Sequence, residues 1–282
     1  MASEFTITEG TLPGGLPYFR FGTGPRLVVL RGFTTTHDNP KGLQRTFEVK
    51  LLAPLARRFD VFAVNRAPGL SPGTTMADIA RQHAAAIREA FGEPIDLLGI
   101  SSGGSIALQV AADHPDVVRR LILVGAASRI GKEAAAAQMR YIDAVAAGKR
   151  GAHHLAPMKV SSKLGARILA PIMWLLDPLA RPKDPSDMVT FARAEDAFDL
   201  TGRLDEIAAP TLVIGGSKDD VYGLDLLRET ADGVRDGRLV VYEGASHAST
   251  MTDKRLADDV AGFLTPRSET GSTSAEPEAI TV

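Results

Sequence analysis

Hydrophobic positions along the chain come in two patterns: short solid blocks, and longer stretches where they recur every three or four residues. Arg26-Leu27-Val28-Val29-Leu30-Arg31, Phe59-Asp60-Val61-Phe62-Ala63-Val64-Asn65, Ile95-Asp96-Leu97-Leu98 and 118–124 are solid blocks. Runs this short and apolar predict strands buried on both faces. Two weaker strands are expected over 4–9 and 17–22, around the turn Leu12-Pro13-Gly14-Gly15. From about Thr75 to Phe91 the pattern changes: Met76, Ile79, Ala80, His83, Ile87 and Phe91 follow helical spacing. The same holds from Gly104 to Ala112, with Ile106, Ala107, Val110 and Ala111 on one face. Strands alternating with helices predict a mostly parallel α/β sheet covered on both faces.

The alternation stops between about 128 and 205. No convincing strand occurs there, and the segment reads as helices separated by Pro157, Pro171, Pro178, Pro182 and Pro185. The sheet pattern resumes at Pro210-Thr211-Leu212-Val213-Ile214-Gly215-Gly216 and ends with Arg238-Leu239-Val240-Val241-Tyr242 and a helix over 249–264. The expected organisation is a core formed by 1–127 and 206–265, interrupted by a helical insertion over 128–205. Beyond Pro266 the chain is rich in Ser, Thr, Glu and Pro, so 266–282 is expected to be a disordered tail.

Composition narrows the class. At 282 residues, 44% of them hydrophobic, the chain can build one substantial core. A formal net charge of -2 argues against nucleic acid or an anionic membrane as the main partner. No run of about 18 apolar residues is present, so no stable membrane insertion is expected. The segment Met1-Ala2-Ser3-Glu4-Phe5-Thr6 lacks the basic-then-apolar pattern of a secretion signal, and a cytoplasmic location is the expectation. Cysteine is absent, which excludes disulfides, a thiolate nucleophile and Cys-ligated metal.

The chemistry is concentrated at Gly99-Ile100-Ser101-Ser102-Gly103, between a predicted strand and a predicted helix. A glycine-flanked serine in that context makes the sharp turn that lifts a hydroxyl above a sheet. It also leaves the Ser102 N–H at a helix start, facing any oxyanion formed at Ser101. A serine hydroxyl needs a base, and the base needs a group that fixes its tautomer. His247 fits as the base because it follows the last predicted strand, and loops at that edge of a parallel sheet converge. The other histidines fit less well. His83 lies on an apolar helix stripe, His114 at a helix end, and His153 and His154 in the insertion. For the acid, Gly216-Ser217-Lys218-Asp219-Asp220 follows the preceding strand, with Asp219 first choice and Asp220 in reserve. The second oxyanion donor is expected at Phe33 N–H, in the loop after the 26–31 strand. Thr34 and His37 beside it are candidates to touch substrate.

These motifs, with Ala112-Asp113-His114-Pro115-Asp116-Val117-Val118 and Gly244-Ala245-Ser246-His247, resemble the α/β-hydrolase superfamily, specifically serine hydrolases with a helical cap. The resemblance spans roughly residues 4 to 264. It implies a doubly covered parallel sheet, a Ser-His-Asp triad and no metal or cofactor. Two departures stand out: Arg31-Gly32 replaces the usual His-Gly, and Asn65-Arg66-Ala67-Pro68-Gly69 replaces the usual Asp-x-x-Gly-x-Gly. Both alter loops that frame the site.

The most apolar stretch, Ile168-Leu169-Ala170-Pro171-Ile172-Met173-Trp174-Leu175-Leu176, either walls an acyl pocket through Met173 and Trp174 or packs the insertion onto the core. The expected activity is hydrolysis of a carboxylic ester of a small, largely apolar molecule. Lactone, thioester or carbon–carbon bond hydrolysis, or perhydrolysis, would use the same triad. A receptor-like binder with little turnover is the alternative of another class.

Overall fold

The structure is a computed structural model that describes residues 5–158 and 162–265. Residues 1–4, 159–161 and 266–282, including the tail expected over 266–282, lie outside the described residues.

Eight strands form one sheet: β1 (Thr8–Leu12), β2 (Leu16–Phe21), β3 (Arg26–Leu30), β4 (Asp60–Val64), β5 (Ile95–Ile100), β6 (Val118–Val124), β7 (Thr211–Gly216) and β8 (Gly237–Tyr242). Their spatial order is β1-β2-β4-β3-β5-β6-β7-β8. β1 and β2 pair antiparallel, as do β2 and β4, and every later pairing is parallel. Strand periodicity divides the core into two layers. Val28, Leu30 and Leu97 point to the layer holding α2 (Met76–Phe91), α3 (Ser102–Asp113) and α7 (Leu224–Gly233). Leu27, Val29, Leu98 and Ile100 point to the layer holding α1 (Gly42–Ala56) and α9 (Leu256–Leu264).

Local signals explain several boundaries. Thr75 caps α2 by accepting from Asp78 N–H, and the Asp78 carboxylate accepts from Thr75 N–H in return. Gly92, with φ 67°, ends that helix in the left-handed conformation. Two helices depart from the sequence expectation, which placed none at 42–56 or 224–233. α1 carries Pro54 inside it and no side-chain N-cap, and its apolar residues form no single clean stripe. The helix expected over 249–264 is divided in two, α8 (His247–Met251) and α9, with residues 252–255 between them. The first strand, expected over 4–9, forms at Thr8–Leu12, and residue 4 lies outside the described range.

Between β6 and β7 the described residues contain helices and no strand: α4 (Lys132–Ala146), a 3-10 segment at Ala152–Met158, α5 (Lys163–Ala180), α6 (Ser186–Asp196) and a second 3-10 segment at Thr201–Glu206. Tyr141, Ile142, Val145, Met188 and Ala192 form a small apolar cluster of their own, against which Phe33 of the loop after β3 packs. This segment thus hangs over the C-terminal edge of the sheet, where the loops carrying Ser101, Asp219 and His247 emerge.

Candidate active site

Ser101 sits at the junction of β5 and α3 with φ 51° and ψ -125°. Among the described residues it alone has a positive φ without being glycine. Such backbone costs on the order of 1–3 kcal/mol and persists only where its surroundings enforce it. Here Ser101 N–H donates to Val124 O at 3.0 Å and Gly104 N–H donates to Ser101 O at 2.7 Å. The flanking glycines make this turn possible. A Cβ at Gly103 would stand 2.1 Å from Leu30 O, and one at Gly99 2.5 Å from Gly104 Cα.

Ser101 Oγ lies 3.0 Å from His247 Nε2, and His247 Nδ1 lies 2.9 Å from Asp219 Oδ2. A carboxylate only accepts, so Nδ1 carries the proton and Nε2 offers its lone pair to the serine hydroxyl. Ser246 begins α8 as its N-cap, accepting from Ser249 N–H, which fixes the backbone presenting His247. Asp219 is anchored by its other oxygen, which accepts from Val221 N–H at 2.9 Å and Tyr222 N–H at 3.0 Å. Burial alone would raise the Asp219 pKa, but the hydrogen bond and charge of His247 and the two amide donors bring it below the usual carboxylate range. Asp220 differs: it is exposed, makes no hydrogen bond to His247, and burial of part of its surroundings raises its pKa.

Above Ser101 is a cavity of about 110 Å³. Phe33, Ser102 and His247 line its floor with Ser101, and Ile130, Val221 and Tyr222 line its sides. Gln138, Tyr141, Leu155 and Met158 of the helical segment form the remaining wall. Neither Phe33 N–H nor Ser102 N–H has a protein acceptor among the described residues. Burial holds the Tyr222 phenol well above its ordinary pKa, so it is a neutral wall group. Among the described residues no three His, Asp or Glu side chains converge as metal ligands.

The four pocket candidates fall elsewhere, and each has a physical reason. Thr34 and His37 are claimed by the buried Arg66, whose guanidinium donates to Thr34 Oγ1 at 2.8 Å and to His37 Nε2 at 3.1 Å. His37 in turn donates from Nδ1 to Ala67 O at 3.0 Å. Burial, reinforced by the Arg66 charge, depresses the His37 pKa to about 4, so its ring is neutral. Met173 is half-buried and Trp174 is 47% exposed, the latter lying under Arg150 at 4.2 Å. The inward stripe of α5 is fixed by the buried Asp177, which accepts from Ala152 N–H at 2.9 Å and pairs with Arg181. That attachment turns the large apolar side chains of α5 away from Ser101.

The two unusual arginines have separate tasks. Arg31 makes a buried bidentate pair with Glu48, both bonds 2.6 Å, on the far side of the oxyanion-type loop. Arg66 reaches the same loop from below, 3.4 Å from both Gly32 O and Thr34 O, with Phe191 of α6 stacked 3.8 Å from its guanidinium. The carbonyls on either side of Phe33 are therefore held by one rigid fork. Burial lowers the Arg66 pKa to about 9. The sequence carried a signal for part of this: Asn65-Arg66 follows a strand at the edge where ligands bind. Nothing in it pointed to Gln138 or Tyr141, which share the buried stripe of α4 with Ala134, Ala137, Ile142 and Val145 and read there as ordinary core positions.

The sheet order and the strand-to-helix turn at Ser101 define an α/β-hydrolase architecture. A family model described as the alpha/beta hydrolase fold matches residues 25–254, and the chain belongs to that family. A pimeloyl-[acyl-carrier protein] methyl ester esterase of Chromobacterium violaceum is 29% identical over 250 residues, covering 83% of this chain and 91% of that protein. A protein of the same name from Neisseria meningitidis serogroup C is 33% identical over 167 residues, covering 56% of this chain and 64% of that one. Among solved structures, a thermophilic esterase from Thermogutta terrifontis superposes with a TM-score of 0.68 at 21% identity, over 92% of this chain and 98% of that one. The enol-lactonase from Burkholderia xenovorans gives a TM-score of 0.64 at 20% identity, over 92% of this chain and all of that one. At such identity the two structures speak to the fold alone.

Proposed function

We propose that the protein is a serine hydrolase that cleaves a carboxylic ester of a small, largely apolar molecule. The observation that carries this reading is the unbroken hydrogen-bonded chain from Ser101 Oγ through His247 to Asp219, opening into an apolar cavity. The esterases among the relatives support it.

In this mechanism Ser101 Oγ attacks the ester carbonyl while its proton passes to His247 Nε2. The imidazolium so formed is stabilised by Asp219, which also keeps Nδ1 protonated throughout. Negative charge gathers on the carbonyl oxygen, where Phe33 and Ser102 N–H donate; each such donor is worth about 3 kcal/mol in the transition state. The carbon–oxygen bond to the alcohol then breaks, with His247 returning the proton to the leaving oxygen. Water enters, gives a proton to His247 and attacks the acyl carbon; the bond to Ser101 Oγ then breaks, His247 Nε2 returns the proton to that oxygen, and the acid leaves. The helical segment over 128–205 acts as a cap: Tyr141, Leu155 and Met158 exclude water from the reacting carbonyl. The small cavity favours short acyl groups.

A panel of p-nitrophenyl esters from acetyl to dodecanoyl, together with a lactone and a thioester series, tests this. Expected is turnover greatest for the short acyl esters and absent in Ser101→Ala. Turnover confined to the lactones or thioesters would reassign the reaction, and saturable binding without turnover would favour the receptor-like reading.

A further inference from the structure

Most of the cavity wall is carbon, which makes its one side-chain amide conspicuous. Gln138 of α4 is 6% exposed and lines the cavity. Its Nε2 donates to Oε2 of Glu195 at 3.0 Å. Glu195, on α6, is 1% exposed, and its other oxygen accepts from Ser105 Oγ at 3.4 Å. Burial raises the Glu195 pKa, against which Gln138, Ser102 and the nearby Arg66 charge all act. Both carboxyl oxygens of Glu195 thus accept from neighbouring donors, Oε2 from the Gln138 amide and Oε1 from Ser105 Oγ. The amide is therefore oriented with NH2 toward Glu195 and its carbonyl away from it.

Among the described residues no protein donor reaches Gln138 Oε1. A buried glutamate is an expensive way to fill space, and an apolar pair of the same volume would pack at least as well. What Glu195 does that an apolar residue could not is set which end of the amide meets the cavity. A site that presents a fixed acceptor discriminates against ligands lacking the matching donor, because the acceptor is then left unpaired.

We propose that Gln138 is a specificity-determining residue whose Oε1 accepts a hydrogen bond from a hydroxyl or amide N–H carried by the substrate, and that Glu195 is the positioning residue that aims it. The substrate class is accordingly a small ester whose acyl or alcohol portion bears a hydrogen-bond donor, such as a hydroxy ester or an acylamino ester. This rests on Ser101 acting as the nucleophile of an ester hydrolase.

The test compares methyl butanoate with its 2-, 3- and 4-hydroxy derivatives and with the corresponding methoxy derivatives, which keep the oxygen and lose the donor. Wild-type protein is expected to prefer one hydroxy ester over both its methoxy and its unsubstituted partner by about tenfold or more in kcat/KM. Gln138→Met and Glu195→Gln should each bring that ratio toward one. In parallel, intact mass after a reactive fluorophosphonate reports whether each variant is folded with a usable Ser101, and Gln138→Met covers the case in which Glu195→Gln fails to fold. Wild-type protein that forms the adduct but shows no preference at any position overturns the proposal and leaves the hydrolase reading standing. So does a preference that survives in Gln138→Met. Wild-type protein that forms no adduct overturns the hydrolase reading and this proposal with it.

Discussion

The C-terminal edge of the sheet and the helical segment above it are built from equally apolar sequence, with opposite outcomes. In β5, Ile95-Asp96-Leu97-Leu98-Gly99-Ile100, all six residues are buried. In α5, Leu175 is 65% exposed and Leu179 85% exposed. The difference lies in what topology guarantees. A central parallel strand acquires a neighbour on each edge and a helix layer on each face, because right-handed crossovers place them there. A helix in an insertion has no such guarantee, and it buries only the stripe its anchor selects. For α5 the anchor is Asp177 on the Gly151–Ala152 backbone, and it turns Ile168, Leu175 and Leu179 outward. An apolar run therefore fixes burial inside the sheet and leaves it open above the sheet.

That contrast gives an order of sensitivity. The largest effect is expected at the edge of the sheet itself. Asp219→Asn should keep the fold and lower kcat by about 10⁴, because the amide favours the wrong His247 tautomer. Initial rates on the best ester of the panel, with circular dichroism as the control, measure this. Next comes the turn that carries Ser101. Gly103→Ala drives a Cβ against Leu30 O in a packed strand, and a loss of about 3 kcal/mol or more is expected in urea denaturation.

A smaller effect comes from pH. Burial holds the pKa of His83 at about 4, against an ordinary value of 6.5, with its Nδ1–H donated to Ile79 O. As pH falls below about 6.5 the unfolded chain takes up the proton first, so stability is complete above that value and declines until the folded ring titrates near 4. The decline amounts to about 3 kcal/mol for this one group. Denaturation midpoints at pH 7.5 and 4.5 should differ less in His83→Gln than in the wild type. The smallest effect is expected on the exposed face of α5. Trp174→Ala should change kcat/KM by less than about twofold and stability by about 0.5 kcal/mol or less. A tenfold loss there would mean that α5 closes over the cavity in solution and would dissolve the contrast.

Legibility in the sequence followed the same division. The strands could be read because each is a solid block in an alternating frame, and α2 because Met76, Ile79, Ala80, His83, Ile87 and Phe91 recur at helical spacing. The positions of Ser101, Asp219 and His247 followed from chain order, since loops after consecutive parallel strands meet at one edge. α1 was illegible because Pro54 and its scattered apolar residues contradict the usual helix signals, and tertiary packing of Leu52 and Leu55 on the sheet decides it. Thr34 and His37 were misplaced because a buried arginine two loops away claims them, a partnership that adjacency in sequence does not encode. Gln138 and Glu195 lie 57 residues apart and meet only when α4 and α6 pack.

The most direct test of the central claim, that His247 activates Ser101, is intact-protein mass after a reactive fluorophosphonate, on the wild type, Ser101→Ala and His247→Ala. Expected is a single adduct on the wild type, none on Ser101→Ala, and labelling slowed by orders of magnitude in His247→Ala. An unlabelled, folded wild type, or an adduct that persists at full rate without His247, would contradict it.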